Sequence, residues 1–153
     1  MGAEQRLADL GITLPEPPSP VASYVPTARA GDLVFVSGQV PFRAGGLPRT
    51  GAVGSAVTPE DAAEEARFCA INILAQLRAV TGSLDDIERI VKLTVFVASA
   101  PGFGAQPAVA NGASDLMVEV FGDNGRHARA AVGVAELPLG APVEIEAIAQ
   151  LRA

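Results

Sequence analysis

One arginine and two glutamates near the end of the chain have the types and spacing of a small-molecule site. Arg129 sits in His127-Ala128-Arg129-Ala130-Ala131-Val132, and Glu144 and Glu146 sit in Val143-Glu144-Ile145-Glu146-Ala147-Ile148-Ala149. Arginine offers a planar fork of N–H donors that grips a carboxylate bidentately. A glutamate near the same ligand can activate water or move a proton. The same residues can equally form a plain ion pair, or keep an exposed sheet face solvated. His127 is the single histidine. Nothing places a serine and an aspartate near it, so no Ser/His/Asp triad is supported. One histidine with scattered acids is poor material for a metal site. Gly45-Gly46 and Gly102-Phe103-Gly104 lack the spacings of phosphate-cradling loops. No cofactor and no metal is expected.

Both charged stretches read as β-strands. Along the first, His127, Arg129, Ala131 and Gly133 share a face, and the small residues leave open space beside the arginine. Along the second, Val143, Ile145, Ala147, Ala149 and Leu151 form an unbroken apolar face that must lie on the core, so Glu144 and Glu146 point away from it together. With the two strands as neighbours, Arg129, Glu144 and Glu146 are expected on one outward face. That face is either solvated or lines a cleft between subunits.

The remaining elements follow in order. A short helix over residues 3–10 and an extended linker through Pro15, Pro17, Pro18 and Pro20 make residues 1–20 an N-terminal extension, since each proline removes a donor and restricts its predecessor. Residues 21–153 form the domain. Residues 24–29 and 33–40 are strands. The second ends in Ser37-Gly38, leaving a hydroxyl and bare backbone where a ligand can approach; the pair can also simply terminate the strand. Residues 43–54 are turn-rich, with room for one optional strand. Thr58 caps a helix with Pro59 at its first position and Gly82 at its end, and Ala66, Phe68, Cys69, Ile73, Leu77 and Val80 recur at near-helical spacing. Cys69 reads as a small core residue. Ser83 caps a one-turn helix, residues 90–98 form a long strand, and residues 106–120 a second helix. Asn111-Gly112 argues against an unbroken helix there, because glycine costs about 1 kcal/mol in a helix interior. The order β-β-(β)-α-β-α-β-β predicts an α+β sandwich, one mixed sheet with helices on one face.

Composition narrows the partners. The chain has 153 residues, 49% of them hydrophobic, and a net charge of −6 with 5% aromatics and no Trp. An acidic chain poor in stacking side chains is unsuited to nucleic acid. A single cysteine permits no intrachain disulfide and fits a reducing compartment. There is no signal-peptide run and no stretch near the roughly 18 apolar residues of a membrane helix. These features point to a cytoplasmic protein with no membrane partner.

Several segments in order resemble the RidA/YjgF family, labelled endoribonuclease L-PSP/chorismate-mutase-like. They are Val36-Ser37-Gly38-Gln39-Val40-Pro41, Thr50-Gly51, Leu84-Asp85-Asp86-Ile87 with Lys92-Leu93-Thr94-Val95-Phe96-Val97, Ala128-Arg129-Ala130, and Val143-Glu144-Ile145. The likeness runs from about Tyr24 to Leu151, and the extension and long second helix resemble a longer branch of the family. The resemblance implies a chorismate-mutase-like fold, a homotrimer whose sheets form a central barrel, and three clefts between subunits. It implies hydrolysis of reactive 2-imino acids and their enamines to 2-oxo acids and ammonia, without a cofactor. By position, Arg129 would bind the substrate carboxylate and Glu144 would position the attacking water. Tyr24, Ser37 and Gly38 would line the cleft, joined by Asn111. Periodicity cannot choose between Glu144 and Glu146; the motif chooses Glu144. The same cleft in a non-catalytic protein would hold a small carboxylate metabolite. The chain departs from the pattern at His127, where the signature prefers Pro or Ala, and at Ala131, where many deaminating members carry Cys.

Overall fold

Thr58 and Gly82 delimit the longest element. In the computed structural model the Thr58 hydroxyl accepts the Asp61 amide at 3.1 Å, Pro59 opens the helix, and Gly82 closes it at φ +89° with its N–H on the Arg78 carbonyl. This helix, α2 (Pro59–Thr81), buries Ala62, Ala66, Cys69, Ala70, Ile73, Leu74 and Leu77. Val80 departs from the expected stripe and is exposed, and Phe68 is half-exposed beneath the Arg43 guanidinium.

The structure describes residues 1–17 and 22–153; Pro18 and Pro20 of the expected linker lie outside the described residues. A short helix, α1 (Ala3–Asp9), packs on α3 (Gln106–Phe121) with Leu7 buried. The Glu4 carboxylate accepts the Leu84 amide at 2.8 Å, tying α1 to the turn that follows α2. Among the described residues there are five strands: β1 (Thr27–Ala30), β2 (Leu33–Gln39), β3 (Ile87–Ala98), β4 (Ala128–Val134) and β5 (Val143–Leu151). Residues 43–54 contribute no strand, only single bridges such as Val53 to Ser99.

The helix α3 matches the expected span of residues 106–120 and runs without interruption through Asn111-Gly112, where helix propensity is poor. A Cβ on Gly112 would overlap the Ala63 carbonyl oxygen of α2. Close helix contact thus accounts for a glycine that propensity alone disfavours.

The sheet order is β1-β2-β5-β3-β4, antiparallel except for the parallel pair β3–β4, with α2 and α3 on one face. Val143, Ile145, Ala147 and Ala149 of β5 are buried under the helices as expected, with Leu93, Val95 and Val97 of β3 beside them. The crossover through α3 lays β4 outside β3, while β5 returns between β2 and β3. The two charged strands are therefore not neighbours, although consecutive strands usually are. Between Val36 and Gln39 the pairing of β2 with β5 slips, because three steps along β2 span two along β5. This bulge falls on Ser37-Gly38.

Candidate active site

Glu144 stands on β5 opposite Phe96 of β3, on the sheet face that carries no helix. The β2 bulge brings Gly38 against it: a Cβ at residue 38 would overlap the Glu144 Oε1 atom. Strict alternation from the buried Val36 would put Gly38 on the core face; the extra residue of the bulge turns it toward the carboxylate instead. Glu144 is half-buried, while Glu146 is exposed. Burial raises the Glu144 carboxyl above the usual carboxylate range, and the negative charge of Glu146 adds to the rise. The Ser37 hydroxyl donates to the Val25 carbonyl at 2.8 Å and its amide donates to the Pro26 carbonyl at 2.9 Å. These bonds hold the Tyr24 segment beside β2, with the Tyr24 ring exposed. Ser37, Gly38 and Glu144 thus meet at one end of the open face, with the Tyr24 backbone running alongside through Val25 and Pro26. A shallow cavity of about 340 Å³ on that face is bordered by Phe35, Ser37, Lys92, Thr94 and Glu146.

The loop flanking this end is fastened from below. Arg43 and Arg49 both pair with the fully buried Glu65 of α2, at 3.0 and 2.6 Å. Asn72 donates to the Val40 and Phe42 carbonyls at 2.9 and 3.1 Å. Sequence reading missed these anchors, because no local signal links residues of α2 to a loop some twenty or thirty positions earlier.

Arg129 lies elsewhere. Its register partner on β3 is Leu93, a core residue, so it sits on the helix side of the sheet at the outer edge. Its Nη1 donates to Asn111 Oδ1 at 2.8 Å and to Ser114 Oγ at 3.2 Å, both on α3. His127 completes the cluster, with Nε2 at 2.9 Å from Ser114 Oγ and Nδ1 at 2.6 Å from the Gly125 carbonyl. A carbonyl only accepts, so Nδ1 carries the proton and Nε2 accepts the Ser114 hydroxyl. Burial lowers the His127 pKa, and the Arg129 charge lowers it further against the opposing Gly125 bond. The ring is thereby favoured neutral. The fold places Ser114 beside His127, which nothing in the sequence indicated, and the other ring nitrogen bonds a backbone carbonyl and not an aspartate. The signal was spatial: Asn111 and Ser114 are three residues apart on one helix face. The space beside Arg129 is also less open than the small residues suggested, since Gln106 and Ser99 fill the surroundings of Gly133.

The expected single face carrying Arg129, Glu144 and Glu146 is therefore not formed within one chain. With strands about 4.8 Å apart and a rise of about 3.3 Å per residue, the Arg129 and Glu144 Cα atoms are roughly 14 Å apart, on opposite faces. One chain therefore does not bring both groups to the same small molecule. Among the described residues no His, Cys, Asp or Glu cluster could hold a metal ion, and no helix is long and apolar enough to cross a membrane.

The family profile described as Endoribonuclease L-PSP matches residues 15–151. Protein TCP17 of Trypanosoma cruzi is 47% identical over 146 residues, covering 95% of this chain and 91% of its own. The 2-iminobutanoate/2-iminopropanoate deaminase of Dermatophagoides farinae is 31% identical over 137 residues, covering 90% and 92%. The crystal structure of protein Atu1372 from Agrobacterium tumefaciens, of unknown function, superposes with a TM-score of 0.91 at 49% identity, covering 98% of this chain and 92% of that one.

Proposed function

The chain belongs to the endoribonuclease L-PSP family, and on that premise we propose that it hydrolyses small 2-imino acids in clefts shared by two copies. Arg129 of one copy binds the substrate carboxylate, and Glu144 of the next acts on the imine carbon. As water attacks, its oxygen bonds to carbon and its proton passes to the Glu144 carboxylate. The C=N π pair moves to nitrogen. Glu144 returns that proton to nitrogen, giving a carbinolamine, and then carries the hydroxyl proton to the amine; as the freed oxygen pair closes the C=O bond the C–N bond breaks, and a 2-oxo acid and ammonia leave. The balance is imine plus water to ketone plus ammonia, with no cofactor. The enamine form enters after tautomerising to the imine.

What carries this reading is the state of Glu144, a half-buried carboxyl raised in pKa beside the bare backbone of Gly38. A base whose pKa moves toward the working pH transfers protons more effectively. The similarity to an iminobutanoate/iminopropanoate deaminase supports the substrate class. The open sheet face, where Phe35 is 41% and Val132 44% exposed, supports packing of three copies into a chorismate-mutase-like barrel. The net charge of −6 speaks against the RNA that the family's name suggests.

The test is ammonia release from imines generated in situ by an amino-acid oxidase, with and without the protein. Acceleration by wild type but not by Arg129→Ala is expected. If both are inert while a 2-oxo acid stabilises only the wild type, the protein is a carboxylate-binding module instead. A monomeric mass with no response to any small carboxylate defeats both readings.

A further inference from the structure

We propose that Ser114 and His127 are positioning residues that lock the Arg129 guanidinium so that one chosen edge meets the ligand. The inference rests on the carboxylate-binding role given to Arg129 above. Arg129 is exposed on an edge strand, and an unrestrained arginine there would sample many rotamers. Four directed hydrogen bonds oppose that freedom. Nη1 spends its two hydrogens on Asn111 Oδ1 and Ser114 Oγ. Ser114 can accept from Arg129 while its own hydrogen points at His127 Nε2, and that nitrogen accepts only because Nδ1–H is held by the Gly125 carbonyl. The chain of donors thus runs from Arg129 through Ser114 and His127 into the backbone. Each donation strengthens the next acceptor.

This arrangement fixes both the plane and the direction of the guanidinium. The Nη1 side is consumed by α3, and the Nε–Nη2 edge is left as the pair of parallel donors for a carboxylate. Asn111 has only its amide nitrogen to offer outward, because its oxygen faces Arg129. The site is therefore built for a ligand with a carboxylate and an adjacent acceptor atom, presented to the Nε–Nη2 edge and Asn111 respectively. His127 earns its place at a position where the family signature prefers Pro or Ala, neither of which could accept the Ser114 hydroxyl.

Two measurements test the assignment. The first is the 15N spectrum of the Arg129 side chain in the intact protein. Distinct, slowly exchanging Nη1 and Nη2 signals are expected in the wild type and in Ser114→Thr, which keeps the hydroxyl. Averaged signals are expected in Ser114→Ala and His127→Ala. The second is pyruvate affinity by calorimetry. Ser114→Ala and His127→Ala should weaken it on the order of tenfold, the worth of one hydrogen bond to a charged group. Ser114→Thr should recover most of that loss, and in the deaminase assay the loss should fall on KM rather than kcat. Unchanged Nη signals in Ser114→Ala, or equal weakening by Ser114→Ala and Ser114→Thr, would overturn the proposal. An Arg129→Ala protein that still binds pyruvate as tightly as wild type would instead remove the carboxylate role. The Nη signals would then still decide whether Ser114 and His127 hold the side chain.

Discussion

The two charged regions of this protein are placed by different means. Glu144 is set by backbone: a bulge in β2 turns Gly38 against its carboxyl, and the surroundings remove water from it. Arg129 is set by side chains: Asn111, Ser114 and His127 line up along α3 and the entry to β4 to hold one nitrogen. The first device tunes a proton affinity and the second fixes a direction. A base needs the former, and a carboxylate clamp needs the latter. Their separation on opposite faces of one sheet means that one chain does not bring both to the same small ligand, which is why the proposed cleft draws on two copies.

The strongest way to sharpen this contrast is to remove each half. Glu144→Gln should lower kcat about 10²–10⁴-fold, the usual worth of a positioned general base, with little change in KM. Arg129→Ala should instead act chiefly on KM, raising it roughly 100-fold as two hydrogen bonds to a charged group are lost. Steady-state ammonia assays separate the two patterns; identical patterns would break the division of labour.

The backbone device is tested at its origin. Gly38→Ala places a methyl where Glu144 Oε1 now sits, so the carboxyl must move. A roughly tenfold fall in kcat is expected from the misplaced base, with unchanged pyruvate affinity. Wild-type turnover in this variant would show that the bulge is incidental.

Smaller effects probe the electrostatics. Glu146→Gln removes the second cause of the raised Glu144 pKa. The acidic limb of the pH–rate profile should shift to lower pH, while Glu144→Gln should abolish that limb. On the other side, the His127 pKa is lowered by folding. Below the unfolded value of about 6.5 the unfolded chain therefore binds more protons at this residue, and the folded state loses stability as pH falls. Chemical denaturation of wild type and His127→Gln between pH 8 and 5 should diverge below about pH 6.5, the wild type losing more. Parallel curves would mean that His127 is not held neutral.

Much of this was legible in the sequence where the physics is local. Thr58, Pro59 and Gly82 mark α2 because caps act within one turn, and the apolar alternation of β5 announces its buried face because pleating has a period of two. The charged residues themselves stood out. What could not be read was long-range. Chain order suggested that β4 and β5 adjoin, whereas the parallel β3–β4 pairing inserts β3 between them and reverses the face of Arg129. A bulge shifts register by one residue without a sequence mark of its own, which hid the meeting of Gly38 with Glu144. Gly112 looked like a helix breaker because its packing against Ala63 lies on another helix. Ser114 and His127 were each visible, but only the fold joins them.

The central claim is that a working cleft takes Arg129 from one copy and Glu144 from another. Mixing two impaired variants, assayed at substrate concentrations far below the KM of Arg129→Ala, tests it directly. Arg129→Ala and Glu144→Gln chains, unfolded together and refolded at equal amounts, should regain activity, because some clefts then combine the intact arginine of one with the intact glutamate of the other. Random assembly into a closed ring leaves about a quarter of the clefts fully wild type, so about a quarter of wild-type turnover is expected. No recovery in mixed assemblies, with each variant still folded and oligomeric, would contradict the shared cleft.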